Sequence, residues 1–313
     1  MAEGIKRYKD FLGEVFPQFE RVRKVSLNAG FNCPNLDGTI GSGGCAYCNN
    51  NSFSRVAQTA ASVSEQLEAG IKNIMRKSVI SVVSGKTGVL AYFQSYTNTH
   101  APVQTLREIF MPVISHGNVA GIAIGTRPDC LEPPIVELLS ELNEIKPVIV
   151  EIGVQSVNDE TLKNINRGHN SECVFEVAER CKKAGLRTTA HIIIGLPGET
   201  LEDFLNTAHA VKKCEFSTVK IHPLHIVKGT RFAEEYENGK IKLLSLEEYS
   251  TAAAEFIRII QPHIAIERVS GETFGDTLIA PAWSGDRELI WRLVLGNLGR
   301  ELAHTELGRA TLY

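Results

Sequence analysis

Six short β-branched runs with helical patterns between them constrain the fold of this chain more than any other feature. They are residues 22–27 (VRKVSL), 87–94 (TGVLAYFQ), 120–124 (AGIAI), 148–154 (VIVEIGV), 188–194 (TTAHIII) and 217–224 (STVKIHPL). Their nearly continuous apolar character is that of strands buried on both faces. The segments between them read as helices. Residues 64–77 place Leu67, Ile71, Ile74 and Met75 on one helical face. Pro102 suits the first turn of a helix over 103–114, and 134–142 repeats the pattern. Ser171 is placed to cap a helix that runs to Lys183 and ends at Gly185. Thr200 opens the next, with Lys212 and Lys213 where the helix dipole favours cations. Ser245 and Glu248 form a capping box for a helix ending near Ile260. Strand–helix alternation of this kind predicts an α/β fold with a parallel sheet and right-handed crossovers. An open doubly wound sheet and a partial barrel both satisfy it, and in either the function sits at the carboxyl ends of the strands.

Those ends carry unusual sequence. Cys33, Cys45 and Cys48 follow the first run, and QSYTNTH (94–100) the second. GTRPDC (125–130) follows the third, and Gln155 with Ser156 the fourth. GLPGET (195–200) follows the fifth, and His222 and His225 lie at the sixth. One polar loop means little, but six in register outline a site. From residue 243 the rhythm fades, so residues 1–242 read as the core and 243–313 as a small helical and mixed extension packed on it.

Composition narrows the class. Lys plus Arg is 33 and Asp plus Glu 36 among 313 residues, so the net charge of −3 excludes a strongly cationic nucleic-acid coat. With 43% hydrophobic and 22% charged residues a largely disordered chain is excluded. No run approaches a membrane span of about 20 apolar residues, and the opening MAEGIKRYKDFLGEVF predicts neither a secretory leader nor a membrane partner. Seven cysteines, an odd number, point to a reducing compartment, the cytoplasm, where clustered thiols bind metal or do chemistry.

Eleven residues separate Cys33 from Cys45, and two separate Cys45 from Cys48. The loop PNLDGTIGSGG holds four glycines and can wrap closely around an inorganic cluster. Structural zinc wants four ligands, usually as two spaced pairs, and only three cysteines are local. Three thiolates suit an iron–sulfur cluster with one iron left open. On spacing alone the two stand level.

Tyr47, directly before the last cysteine, resembles the aromatic of the radical S-adenosylmethionine (SAM) superfamily. The first spacing is longer than usual there, as in a subgroup resembling the catalytic subunit of Elongator. CPNLDGTIGSGGCAYC, YFQSYTNT, GTRPDC, EIGVQS, NRGH, HIIIGLPGET and LIAPAWSGDRELIW together look like the YhcC/YtqA-type family. The resemblance implies a partial (β/α)6 TIM-type barrel. It implies a 4Fe–4S cluster on Cys33, Cys45 and Cys48, with SAM on the fourth iron and Tyr47 near the adenine. Gln94 and Ser95 stand where relatives carry a Gly-Gly-Glu segment, and their carbonyls could accept from the SAM ammonium. Thr126, in GTRPDC, is placed with them. Gln155 is similar to a SAM-contacting glutamine of oxygen-independent coproporphyrinogen oxidase. Arg167 matches the arginine that holds the SAM carboxylate, by two parallel hydrogen bonds. His191 falls at a ribose-binding aspartate, and Gly195, Leu196 and Pro197 look like the turn along adenine. Read alone, Arg167 is a solvated surface arginine, Gln155 and Ser156 cap a helix, and 195–198 is a strand-to-helix turn. Glu151 reads as facing a packed layer or the lumen beside a basic partner.

Cys130 is the candidate catalytic thiol, as hydrogen-atom donor, nucleophile or acid; its plain reading is a buried inert thiol. Cys173, Cys181 and Cys214 read as core residues. His222, His225 and Lys228 could line a substrate mouth. Lys6, Arg7, Lys9, Arg21, Arg23 and Lys24, with Tyr8, Phe11 and Phe16 interleaved, could form one edge of an RNA surface or merely a solvated amphipathic start. The resemblance implies cleavage of SAM to a 5′-deoxyadenosyl radical, with a one-electron donor of flavodoxin or ferredoxin type. It points to tRNA as partner, at the C5 side chain of the wobble uridine. The alternatives are a radical SAM enzyme acting on a small metabolite and a non-catalytic metal-binding interaction protein.

Overall fold

The computed structural model describes residues 4–80 and 86–310. The first three residues of the N-terminal reading and the last three of the C-terminal extension lie outside them. Seven strands form one parallel sheet. In spatial order they are β1 (Arg21–Leu27), β2 (Thr87–Phe93), β3 (Val119–Thr126), β4 (Val148–Gln155), β5 (Arg187–Ile194), β6 (Thr218–Pro223) and β8 (Ala265–Arg268). β7 (Ile226–Val227) and β9 (Leu278–Ala280) pair antiparallel beside it. The helices are α1 (Tyr8–Val15), α2 (Asn50–Phe53), α3 (Val63–Ile80), α4 (Val103–Ser115), α5 (Pro133–Ile145) and α6 (Asp159–Asn164), followed by α7 (Ser171–Lys183), α8 (Leu201–Lys213), α9 (Arg231–Glu237), α10 (Leu246–Ile260) and α11 (Arg287–Ala310).

The strand order never reverses, which selects the partial barrel over the doubly wound sheet. β1 and β8 do not pair. The sheet nevertheless curls far enough for Lys24 of β1 to reach Glu267 of β8 at 2.7 Å. The six expected strands fall within one or two residues of their runs, β3 running two residues further than expected, and the cap of α8 at Thr200 and the capping box of α10 stand as expected. One cap is corrected: α7 is capped by Asn170, whose carboxamide oxygen accepts from the Cys173 amide, and Ser171 is already helical. Sequence did not announce β8. Its four residues, AIER, are too short to show a period, and only the neighbouring β6 makes them a strand.

Alternate strand residues face two different interiors. Val25, Ala91, Ile122, Val150, Ile192 and Val219 pack outward against the helices. Leu90, Ala123, Ile149 and Ala265 face the barrel floor, where Phe11, Val15 and Phe16 plug it. That placement corrects the N-terminal RNA edge: Phe11 and Phe16 are buried in the plug and offer no stacking face.

Above the plug the lumen is charged. Glu151, fully buried, is bonded by Lys24 at 2.9 Å, by Lys220 and by His191 at 2.9 Å. Glu267 joins Lys24 and, at 3.4 Å, Lys220. Glu151 therefore has the basic partners expected of it, and its carboxyl is held well below the usual range: burial opposes this, but the two lysines outweigh it.

Candidate active site

The cysteine loop is stitched to the segment that follows β4. The Ala46 amide donates to the Ile165 carbonyl at 2.9 Å. Asn35 Nδ2 donates to the Asn166 carbonyl at 2.6 Å, and Asn166 Nδ2 to the Gly44 carbonyl at 2.8 Å. Gly168, at φ +78°, passes so close that a Cβ would meet Ile40 at 2.7 Å and Asn35 Oδ1 at 2.9 Å. The NRGH sequence is thus a clamp on the cysteine loop, and glycine is needed where the chains touch.

Asn35 Nδ2 and Arg167 Nη1 each lie 3.5 Å from Cys45 Sγ, and Asn50 Nδ2 lies 4.0 Å from Cys48 Sγ. Such donors stabilise sulfur that carries negative charge. Desolvation, then repulsion from Cys45 and Cys33, pushes the Cys48 thiol up to about 12, although the outer side of the residue is exposed. Among the described residues no group of three or more His, Cys, Asp or Glu is gathered tightly enough to hold a single metal ion. Three thiols, two of them with N–H donors at their sulfurs, fit a cluster, which spreads its ligands more widely than one ion does.

Arg167 is buried, which removes the reading of a solvated surface arginine. Its Nη2 donates to the Gly153 carbonyl at 2.5 Å, its Nη1 serves Cys45, and its Nε has no partner among the described residues. The free two-pronged grip expected of it is therefore not present in this arrangement. Gly153 leaves room for the Arg167 contact: a Cβ there would meet Arg167 Nη2 at 2.6 Å and Gln155 Nε2 at 2.9 Å, so both side-chain ends would have to shift. Gln155 itself sits at φ +68°, beside an irregularity in the β4–β5 pairing. This left-handed backbone is strained for glutamine and turns the residue into the mouth.

The mouth holds a cavity of about 210 Å³, lined among others by Tyr47, Gln94, Gln155, His191, His222 and His225. Six residues singled out from sequence meet here. His191 stays neutral, its pKa lowered to about 4 by burial and by Lys220 against the pull of Glu151. With Glu151 Oε2 at 2.9 Å from Nε2, the ring donates from Nε2 and leaves Nδ1 as an acceptor. His222 and His225 are also held neutral, chiefly by burial.

Other expected residues stand one layer back. Ser95 is buried, with its hydroxyl 2.9 Å from that of Ser54, while Gln94, in the mouth wall, is held by its Nε2 donating to the Phe53 carbonyl at 2.9 Å. Thr126 pairs with Thr99 at 2.5 Å, which also donates to the Cys130 carbonyl. Leu196 packs in the apolar cluster of Cys45, Tyr47 and Ile193, and Gly195, at φ +95°, turns against Leu244. Neither they nor Pro197 line the mouth cavity. Cys130 is buried outside that cavity, and desolvation, then Asp129, pushes its thiol up to about 12. It is a thiol, not a thiolate, at neutral pH. Cys181 is fully buried, while Cys173 and Cys214 are only partly so.

Sequence reasoning missed Phe53, Arg268 and Phe274 in the mouth wall. The last two come from the tail read only as a cover, and nothing local marks them. It also missed Arg127, which is buried, grips Asp129 through Nε and Nη2 at 2.9 and 2.7 Å, and braces the Arg167 carbonyl at 2.6 Å.

Glu199, in GLPGET, accepts from the Ser156 hydroxyl, and desolvation raises its pKa to about 7 against that bond. A carboxyl raised by folding contributes stability that is complete below its unfolded value and is lost as pH rises through the folded one. Glu199→Gln is therefore expected to flatten the fall in melting temperature between about pH 4.5 and 7 and to leave the variant more stable than wild type at pH 8. Parallel melting curves across that range check it, and identical slopes would count against the assignment.

Comparison with known proteins agrees with this geometry. Residues 38–211 match the model of the Radical SAM superfamily, and residues 216–297 that of the Radical_SAM C-terminal domain. Protein YhcC of Escherichia coli (strain K12) is 39% identical over 271 residues, covering 86% of this chain and 84% of its own. The tRNA uridine(34) acetyltransferase of Methanocaldococcus infernus is 33% identical over 131 residues, 41% of this chain and 24% of that protein. The structure of the archaeal Methanocaldococcus infernus Elp3 superposes with a TM-score of 0.63 at 19% identity, over 90% of this chain and 63% of that one, and shows the same fold. Among the described residues no helix is long and apolar enough to cross a membrane. With its three-cysteine loop at the mouth of a partial barrel and relatives across most of its length, the chain belongs to the radical SAM superfamily, in the YhcC/YtqA-type family, and uses a 4Fe–4S cluster and S-adenosylmethionine.

Proposed function

We propose that the protein acts on tRNA, at the C5 side chain of the wobble uridine, turning a carboxymethylaminomethyl group to aminomethyl. Hydrogen abstraction from the carboxymethyl CH2, return of a second electron to the bound cluster and addition of water across the resulting C=N bond would break the C–N bond and release the two carbons as glyoxylate. The observation that carries this reading is a cleft of about 920 Å³ at the open edge between β1 and β8. Arg21, Arg23 and Arg55 stand exposed on its walls, and it shares Tyr92, Gln94 and Arg268 with the mouth cavity. A nucleotide of a polyanion needs both features, cations along the approach and room beside the reacting group. The similarity to a tRNA uridine(34) acetyltransferase supports the same substrate class.

When bound, the cluster and SAM supply one-electron cleavage to a 5′-deoxyadenosyl radical. The chain's own residues hold and orient. Cys33, Cys45 and Cys48 are the ligands, and Asn35 and Arg167 steady Cys45. Gln94, Ser95, Thr126, Gln155 and Arg167 would hold the amino-acid end of SAM, Ser95 and Thr126 from one layer back. His191 would offer Nδ1 to a ribose hydroxyl, and Tyr47, backed by the turn of Gly195, Leu196 and Pro197, would flank the adenine. Cys130, kept protonated, is suited to give a proton or hydrogen atom and not to attack as a nucleophile. A flavodoxin- or ferredoxin-type protein supplies the electron, and the site of action is the cytoplasm.

Nucleosides from tRNA of a strain lacking the gene test this. Carboxymethylaminomethyluridine is expected to accumulate at the expense of its aminomethyl descendants. Unchanged nucleosides would overturn the substrate. A small-metabolite substrate is favoured by the modest mouth cavity and the net charge of −3. It predicts 5′-deoxyadenosine release by the reconstituted protein that is indifferent to added tRNA.

A further inference from the structure

The charge inventory of the lumen does not close. Lys24 and Lys220 are both paired with Glu151 and Glu267. Arg268 is the third cation, and it makes no ion pair among the described residues. Its Nε is buried and has no hydrogen-bond partner among them either. The histidines around it, His191, His222 and His225, are at most cationic and cannot answer its charge. Glu272, the other carboxylate on the mouth wall, is taken by Arg287.

Arg268 faces this way because of a fault in the sheet. Val219 pairs with Ile266, but the next residue of β6, Lys220, pairs with Arg268, so Glu267 is the extra residue of a bulge. Without it, strict alternation would put Arg268 on the face of Ile264 and Ile266, against the helices. The bulge sets Arg268 beside Lys220 on the lumen side, where it lines both the mouth cavity and the open-edge cleft. Arg268 is half-buried, with its Nε sealed from water and unpartnered among the described residues while the side chain lines both cavities. A guanidinium so placed without a counter-ion is costly, and such a group is retained where a ligand completes it.

We propose that Arg268 is the anion anchor of the substrate site and takes an oxyanion at the junction of cleft and mouth. This rests on the function proposed above, which identifies the oxyanion as the carboxylate of the carboxymethyl side chain. A planar guanidinium matches a carboxylate through two parallel hydrogen bonds. Arg268 thereby selects the side chain to be edited from the same uridine without it. A backbone phosphate is the other source of the same chemistry.

The test is equilibrium binding by anaerobically reconstituted, SAM-loaded protein. The probes are tRNA bearing carboxymethylaminomethyluridine, the same tRNA bearing aminomethyluridine, and the free carboxymethylaminomethyluridine nucleoside. Wild type is expected to prefer the carboxylate-bearing tRNA, and Arg268→Gln to lose that preference, by about 10- to 100-fold. Arg268→Lys, which keeps the charge without the fork, is expected to keep part of it and serves as a folding control. Preference unchanged in Arg268→Gln would overturn the assignment. Equal weakening toward both tRNAs would overturn the carboxylate in favour of a phosphate. No tRNA binding by wild type, with nucleoside binding that still depends on Arg268, would sink the tRNA reading and keep the anion site.

Discussion

Glu151→Ala is expected to lower the unfolding free energy by about 3–5 kcal/mol, or to leave too little folded protein to purify. The residue is fully buried and is the shared partner of Lys24, Lys220 and His191. Removing it leaves the fully buried Lys220 ammonium and the half-buried Lys24 ammonium with only Glu267 between them. Glu151→Gln keeps the shape and acceptor oxygen but not the charge, and should fall between. Urea midpoints of the three proteins rank the effect, and a midpoint for Glu151→Ala equal to wild type would refute it. The same cluster gives a pH signature. Folding lowers the Glu151 pKa from its ordinary value near 4.5, so its contribution is complete above that pH and is lost as pH falls toward the folded value. Acid unfolding should lose this component in the variants.

The second large effect is on chemistry. Cys45→Ala is expected to abolish the iron–sulfur absorbance and reduce 5′-deoxyadenosine formation to the protein-free blank. Cys45 is the buried cysteine of the three and the one gripped by both Asn35 and Arg167. Arg167→Lys should act through this grip. It keeps a cation but cannot serve Gly153 and Cys45 together, and loss of such an outer partner costs about 10- to 100-fold. Iron and sulfide content with SAM-cleavage rate would separate the two variants. Full activity in Cys45→Ala would return the cysteines to a structural role.

Much of this is legible in the sequence. The strands declared themselves because both faces of a barrel strand are buried, so apolar residues run on without a break. The cysteine loop declared itself because thiols at that spacing, with glycines between and an aromatic before the last, serve few purposes. Tyr47, Gln94, Gln155 and His191 did fall together at the mouth. Other positions gave way to packing. Phe11 and Phe16 looked like one face of an RNA surface and are the barrel's floor. Arg167 could be read as solvated, yet it is buried against Gly153, fourteen positions earlier in the chain.

What the sequence alone determined, then, is a repeat of strand and helix and a set of chemical groups at one end of each strand. Both are local properties, written in periodicity and in adjacent residues. Only the tertiary structure decided that the sheet curls until β1 and β8 exchange an ion pair, and that a four-residue segment becomes its seventh strand. Only it decided which charges in the lumen are answered. Whether Arg268 points to the helices or into the mouth turns on a single inserted residue in a pairing between strands more than forty residues apart. Burial and pairing of that kind depend on what the rest of the chain brings alongside, and no window of sequence contains it.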